Sequence, residues 1–196
     1  MIVTADEVHR SFRGTLDLLH NRAEGLRAFD MSERGFWHSF AAILLTIPAY
    51  VVSLALERVR FGFRLPGASL FDNVWFDLIV ALGHVAGFVA LPVAMIWLSR
   101  AMGTTARYVP FVIVTNWISV VGILVMSIPA FLFLIGWAPA ALAGLFTLAF
   151  FVLVFRAQWF ATKATLGVPN MLAVAVIGLG LILNVFIGAV VRSLLI

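Results

Sequence analysis

The stretch FDNVWFDLIVALGHVAGF, residues 71–88, holds an acid, Asp77, and a histidine, His84, inside an otherwise apolar run. A spacing of two helical turns puts both on nearly one face, with His84 about 10 Å further along the axis. Towards the C-terminus, Gly180, Asn184 and Gly188 recur at four-residue steps. Counted inward from the helix ends, Asn184 and His84 fall at similar depths. With Thr147 they form a candidate intramembrane polar site: Asp77, His84, Asn184 and Thr147. Ionisable groups in lipid are costly and mark proton relays or solute paths, so this set has the chemistry to pass a proton or bind a small polar solute. Each residue also has a plainer role. Asp77 sits about one turn past a helix start, where the dipole favours an acid. His84 and Asn184 have neighbouring helices to hydrogen-bond.

Other chemical groupings are weaker. Asp6 with His9 and Asp17 with His20 repeat a D-x-x-H spacing on one helical face. The two pairs lie about 16 Å apart along a straight helix, while a metal needs three or four converging ligands. They read as a solvated face, and no metal or cofactor is expected. His38 reads as interfacial, and Asn116 as an interhelical hydrogen-bonding residue. There is no H-E-x-x-H, G-x-S-x-G, P-loop or dinucleotide fingerprint. The chain has no cysteine, which excludes disulfides and thiolate chemistry. No catalytic residue is assigned. A lipid-acting enzyme is a third reading, with Arg58, Arg60 and Arg64, or Arg100 and Arg107, placed to hold a phosphate headgroup. Snorkelling at helix ends explains those arginines more simply.

The elements that must position these residues follow from composition. The 196 residues are 63% hydrophobic and 11% charged, against about 25% charged in soluble domains. The fold class is all-α: a polytopic membrane protein with five transmembrane helices preceded by a cytosolic amphipathic helix. Spans are expected over about 36–56, 73–98, 108–134, 140–160 and 170–191, each near the roughly 20 residues a bilayer needs. Residues 36–196 form the bundle and 1–35 the arm. Asp72 and Asn73 are good N-caps for the second span, and Pro48 and Pro92 are expected bends. Gly83 and Gly87, in G-x-x-x-G spacing, with Gly180 and Gly188 opposite, would let the second and fifth spans approach closely.

The arm is expected as one helix over 4–29, opened by a capping box of Thr4 and Glu7. Asp30 with Glu33 would form a second box. Val8, Phe12, Leu16, Leu19 and Leu26 recur at three- and four-residue steps and form a docking face. Residues 1–35 hold five Arg and six acids, too mixed for plain adsorption to anionic lipid. The face therefore docks on the rest of the protein or on a partner. The first 30 residues lack the apolar core of a cleavable signal peptide. Nine Arg and Lys fall on the arm's side of the spans and four on the other. The positive-inside rule then puts the N-terminus in the cytoplasm and the C-terminus outside.

FDMSERGFW, with Asp30, Gly35, Phe36 and Trp37 just before the first span, resembles the Yip family. These are small five-helix membrane proteins with a cytosolic arm. The family's motif is more compact, and its Gly-Tyr-Ser element before the last span appears here only as Leu166–Pro169. The resemblance implies membrane organisation rather than catalysis. The expected function is a non-enzymatic scaffold or accessory subunit of the bacterial inner membrane. Its expected partners are the lipid bilayer and a protein partner or further copies of itself, not nucleic acid. The alternative is a small-solute or proton-linked transporter or channel using the polar stripe of the second span.

Overall fold

The computed structural model describes residues 3–60 and 74–195, and for Arg60 the backbone alone. The expected N-caps Asp72 and Asn73, and the side chains of Arg60 and Arg64, lie outside the described residues. The described residues are helical throughout their regular structure, as the hydropathy requires. Helix α1 spans Ala5–Leu19, α2 Glu33–Ala41, α3 Ile47–Arg60, α4 Val74–Ala101, α5 Tyr108–Leu134, α6 Ala140–Leu166 and α7 Asn170–Leu195. Taking α2 to α3 as one stretch, five segments are long and apolar enough to cross a membrane: Glu33–Val59, Val74–Ala101, Thr105–Leu134, Ala140–Leu166 and Asn170–Leu195.

The arm is not one helix. Helix α1 stops at His20, and Asn21 turns the backbone left-handed at φ 58°. Ala23–Ala28 then runs back along α1 as a short 3-10 helix. The two strokes touch at glycines: a Cβ on Gly25 would lie 2.6 Å from the carbonyl oxygen of Gly14. Leu26 continued the spacing of the stripe because the fold-back returns it to the same core.

The buried face of α1 is also rotated from expectation. Its most buried residues are Glu7, Ser11, Gly14, Thr15 and Leu18, one position away from the apolar stripe, or about 100°. Val8, Phe12 and Leu19 flank this face, partly buried against the core, whereas Leu16 is 51% exposed and leaves it. Small residues win the contact because α1 lies against α5 and α6, where Ala157 and Ala161 are also small and fully buried. Close approach of small surfaces outweighs the transfer gain of one leucine. Phe12 meets Trp117 edge-on at 6.4 Å between centroids.

Neither capping box forms. Thr4 accepts from the Glu7 N–H at 3.3 Å, but the Glu7 side chain turns to His38 instead. At α2 the N-cap is Ser32, which accepts from Gly35 N–H at 3.2 Å, and Asp30 Oδ1 accepts from Ser32 N–H at 3.0 Å. The Asp30 carbonyl lies so close to Gly35 that a Cβ there would overlap it. Phe36 then stacks edge-on against Trp37 and Phe40. The α-helix of the first span tightens to 3-10 over Ala42–Thr46 and resumes at Ile47, so the change of helix type falls just before Pro48.

Helix α5 is central: it packs against α1, α2, α3, α4 and α6, and residues 111–118 are buried on every side. A second cluster at the same end joins Met95, Phe111, Leu166, Ala173 and Val176. This packing carries α6 to Leu166, beyond the expected end near 160. Gly167 closes α6 in the left-handed region at φ 65°, and the Arg107 guanidinium donates to the Leu166 carbonyl at 2.8 Å. Helix α4 packs along α7 and α5 along α6, leaving a cleft between the two pairs.

Candidate ligand cleft

The four residues of the expected polar site do not form one cluster. Asp77 belongs to an ion pair at one end of the bundle: Arg58 Nη2 donates to both carboxylate oxygens at 2.6 Å. Tyr50 hydroxyl donates to the Asp77 carbonyl at 3.1 Å, which ties α3 to the start of α4. Thr147 is further removed. Its hydroxyl donates to the Ala143 carbonyl within its own helix, and it borders a separate hollow with Leu56, Ala130 and Phe133. His84 and Asn184 do come together, lining the same two adjoining cavities without bonding each other.

His84 is held by α3. Its Nε2 lies 2.9 Å from Thr46 Oγ1. The Thr46 hydroxyl donates its single hydrogen to the Ile43 carbonyl at 2.6 Å. Nε2 must therefore be the donor, and the ring carries its hydrogen there. Tyr50 packs beside the ring at 5.6 Å. Asn184 sits against α4: its Nδ2 donates to the Gly180 carbonyl at 3.0 Å, and its Oδ1 would lie 2.7 Å from a Cβ on Gly87. Gly83 likewise faces Val191 and Gly180 faces Leu91, whereas Gly188 has open space before it.

The groups that converge are largely ones the spacing did not single out as a set. Asn116 on α5, 2% exposed, donates from Nδ2 to Ser39 Oγ on α2 at 3.1 Å. Gln158 on α6 donates from Nε2 to Ser119 Oγ on α5 at 3.2 Å. Asn116, Ser119, Gln158 and Asn184 line a cavity of about 230 Å³ between α4, α5, α6 and α7. A second cavity of about 400 Å³ adjoins it, sharing Gly87, Phe88, Ser119, Gln158 and Asn184 and extending to His84. Phe88, Leu91, Pro92, Phe151 and Phe155 make the walls apolar. Apolar walls with a few placed polar groups are the usual build of a small-molecule site.

No family model, curated protein or solved structure matches this chain. The geometry therefore carries the functional reading by itself. Among the described residues no three His, Asp or Glu side chains converge as metal ligands. The buried ionisable pair of the arm, Glu7 with His38, was also missed. His38 Nδ1 donates to Glu7 Oε2 at 2.7 Å, with the two residues 3% and 6% exposed. His38 is thus buried rather than interfacial, because α1 lies over it. A signal existed: Glu7 fits neither the apolar stripe nor the charged face, yet falls in register with Ser11, Gly14, Thr15 and Leu18.

Proposed function

We propose that this chain is a multi-pass membrane protein that binds a small molecule in the cleft between the α4–α7 and α5–α6 pairs, without transforming it. The observation that carries this is the convergence of Asn116, Ser119, Gln158 and Asn184, from three helices, on one apolar-walled cavity. Isolated polar residues in apolar helices serve as interhelical hydrogen bonds. Four that meet at a cavity between helix pairs serve a ligand better. The reading is closer to the solute-handling alternative than to the scaffold. Of the two seats expected for the arm's apolar face, the rest of the protein or a partner, Val8, Phe12, Leu19 and Leu26 take the first and leave less of that face for a partner.

The distribution of Arg and Lys supports an inner-membrane setting with the arm in the cytoplasm and the C-terminus outside. The test is direct. Purified from its membrane into lipid nanodiscs, the protein should carry a stoichiometric small molecule or bind one saturably. Ser119→Phe, which fills the cleft, should abolish that occupancy while thermal unfolding stays cooperative. Equal occupancy in wild type and Ser119→Phe, or none in wild type, would remove the reading.

A further inference from the structure

The lining of the cleft also limits what the ligand is, and this inference rests on the binding role proposed above. The cavity of about 230 Å³ and the one of about 400 Å³ beside it are bordered by no Asp, Glu, Lys or Arg among the described lining residues, and His84 is their one ionisable neighbour. Glu57 and Arg192 border a third hollow, which shares His84 and Asn184 but not Ser119 or Gln158. A phosphate, carboxylate or ammonium group entering there would give up its hydration without an opposite charge, which is strongly unfavourable. The ligand's polar end is therefore neutral.

The hydrogen-bond network then sets its polarity. The Ser39 hydroxyl gives its hydrogen to the Phe36 carbonyl at 2.7 Å, so Ser39 Oγ can only accept from Asn116. That fixes the Asn116 carboxamide with Nδ2 towards Ser39 and leaves Oδ1 with no described donor. Asn184 is fixed the same way, since its Nδ2 faces a carbonyl. Each carboxamide keeps an acceptor oxygen and a second N–H. A hydroxyl group, donor and acceptor at once, answers both. An ether or ester oxygen answers only the N–H.

The walls and the mouth set the rest of the molecule. Phe151 on α6 and Leu181 on α7 line the cavity and are also exposed on the outer surface of the bundle. The cleft thus opens sideways between two apolar helices, where the bilayer lies if these helices span it. An apolar tail leaving by that route stays in apolar surroundings throughout. A free polyol would have nothing to occupy the phenylalanine-lined part.

We propose that the cleft takes an amphiphile with an uncharged, hydroxyl-bearing headgroup, of the monoacylglycerol kind, entering from the membrane. The full chain in nanodiscs of fixed lipid composition would be titrated with 1-monooleoylglycerol, its bis-O-methyl ether, oleate and glycerol. Affinities of the amphiphiles are compared as mole fractions in the bilayer, because the ether partitions more strongly. The expected result is saturable binding of one monoacylglycerol per chain, with the ether, oleate and glycerol at least about tenfold weaker. Gln158→Leu should weaken monoacylglycerol about tenfold and the ether by less, and the milder Ser119→Ala should move in the same direction if Gln158→Leu does not assemble.

If the ether or oleate binds as well as the monoacylglycerol, or glycerol alone competes fully, the headgroup assignment is wrong while the binding role survives. If none of the four binds and no small molecule accompanies the purified protein, the binding role itself fails.

Discussion

Removing one partner of the Glu7–His38 pair should unseat the arm. The two groups bond at 2.7 Å with almost no water contact, at 6% and 3% exposure. Truncating one member of such a buried pair strands the other and costs about 3–5 kcal/mol. Replacing both by apolar residues of similar size leaves nothing stranded and costs little or nothing. Glu7→Ala and His38→Ala should therefore each lose about 3 kcal/mol or more, and Glu7→Leu with His38→Leu should recover most of it.

The assay is unfolding in mild detergent by added SDS, together with the rate of trypsin cleavage at Arg10 and Arg13, both exposed on α1. The second readout matters because the chain can avoid the cost by releasing the arm. The unfolding loss then stops at the free energy of docking, and the remainder appears as faster cleavage, with about 1.4 kcal/mol per tenfold. A loss below about 1 kcal/mol in both single variants, with no faster cleavage, would refute the argument. So would a double variant as unstable as the sum of the two singles.

The α4–α7 contact should show opposite responses to the same substitution. A Cβ on Gly83 would meet Val191 at 2.5 Å, so Gly83→Ala should lose about 1–3 kcal/mol on SDS unfolding. Gly188 has open space, so Gly188→Ala should be neutral or up to about 1 kcal/mol stabilising. At the entry to α2, hydrogen bonds from Ser32, side chain first and backbone N–H second, hold the Asp30 carboxyl below its ordinary value of 3.8. A group depressed on folding stabilises the fold above its unfolded pKa and loses that contribution as pH falls through the folded one. Wild type should therefore lose thermal stability relative to Asp30→Asn on acidification below about pH 4, and parallel melting curves across that range would contradict the assignment.

The five long apolar helices were legible because length and hydropathy act locally and agree. The turn at Ile135–Pro139 divided residues 108–160 where expected. The arm was harder to read. Its apolar spacing ran unbroken through Leu26, but Asn21 reverses the chain and Gly25 lets the return stroke touch α1, and a stripe counted on a straight helix cannot register a reversal. The face of α1 was missed by one residue because the count valued leucine over serine and glycine, while the contact with Ala157 and Ala161 rewards closeness.

The polar site was legible only in part. His84 and Asn184 share a wall because their depths match on antiparallel helices. Asp77 was diverted by Arg58, which spacing alone assigned to a loop end. Thr147 satisfies its own helix. Ser119 and Gln158 lie 39 positions apart and each reads as an isolated polar residue. Only the pairing of α5 with α6 brings them together.

The packing of α1 has a consequence for how the protein is made. Its contacts reach from Phe12 to Trp117, and its core neighbours include Ala157 and Ala161. Helix α1 finds its seat only after α5 and α6, which follow it in the chain, have been synthesised. Contacts of such long sequence separation form late. Until α5 and α6 are in place, α1 lacks the surface made by Trp117, Ala157 and Ala161, and the arm is open to proteases and chaperones. Seating of the arm thus reports that α6 is in place: a chain truncated before α6 displays the buried face of α1, and one that includes α6 covers it.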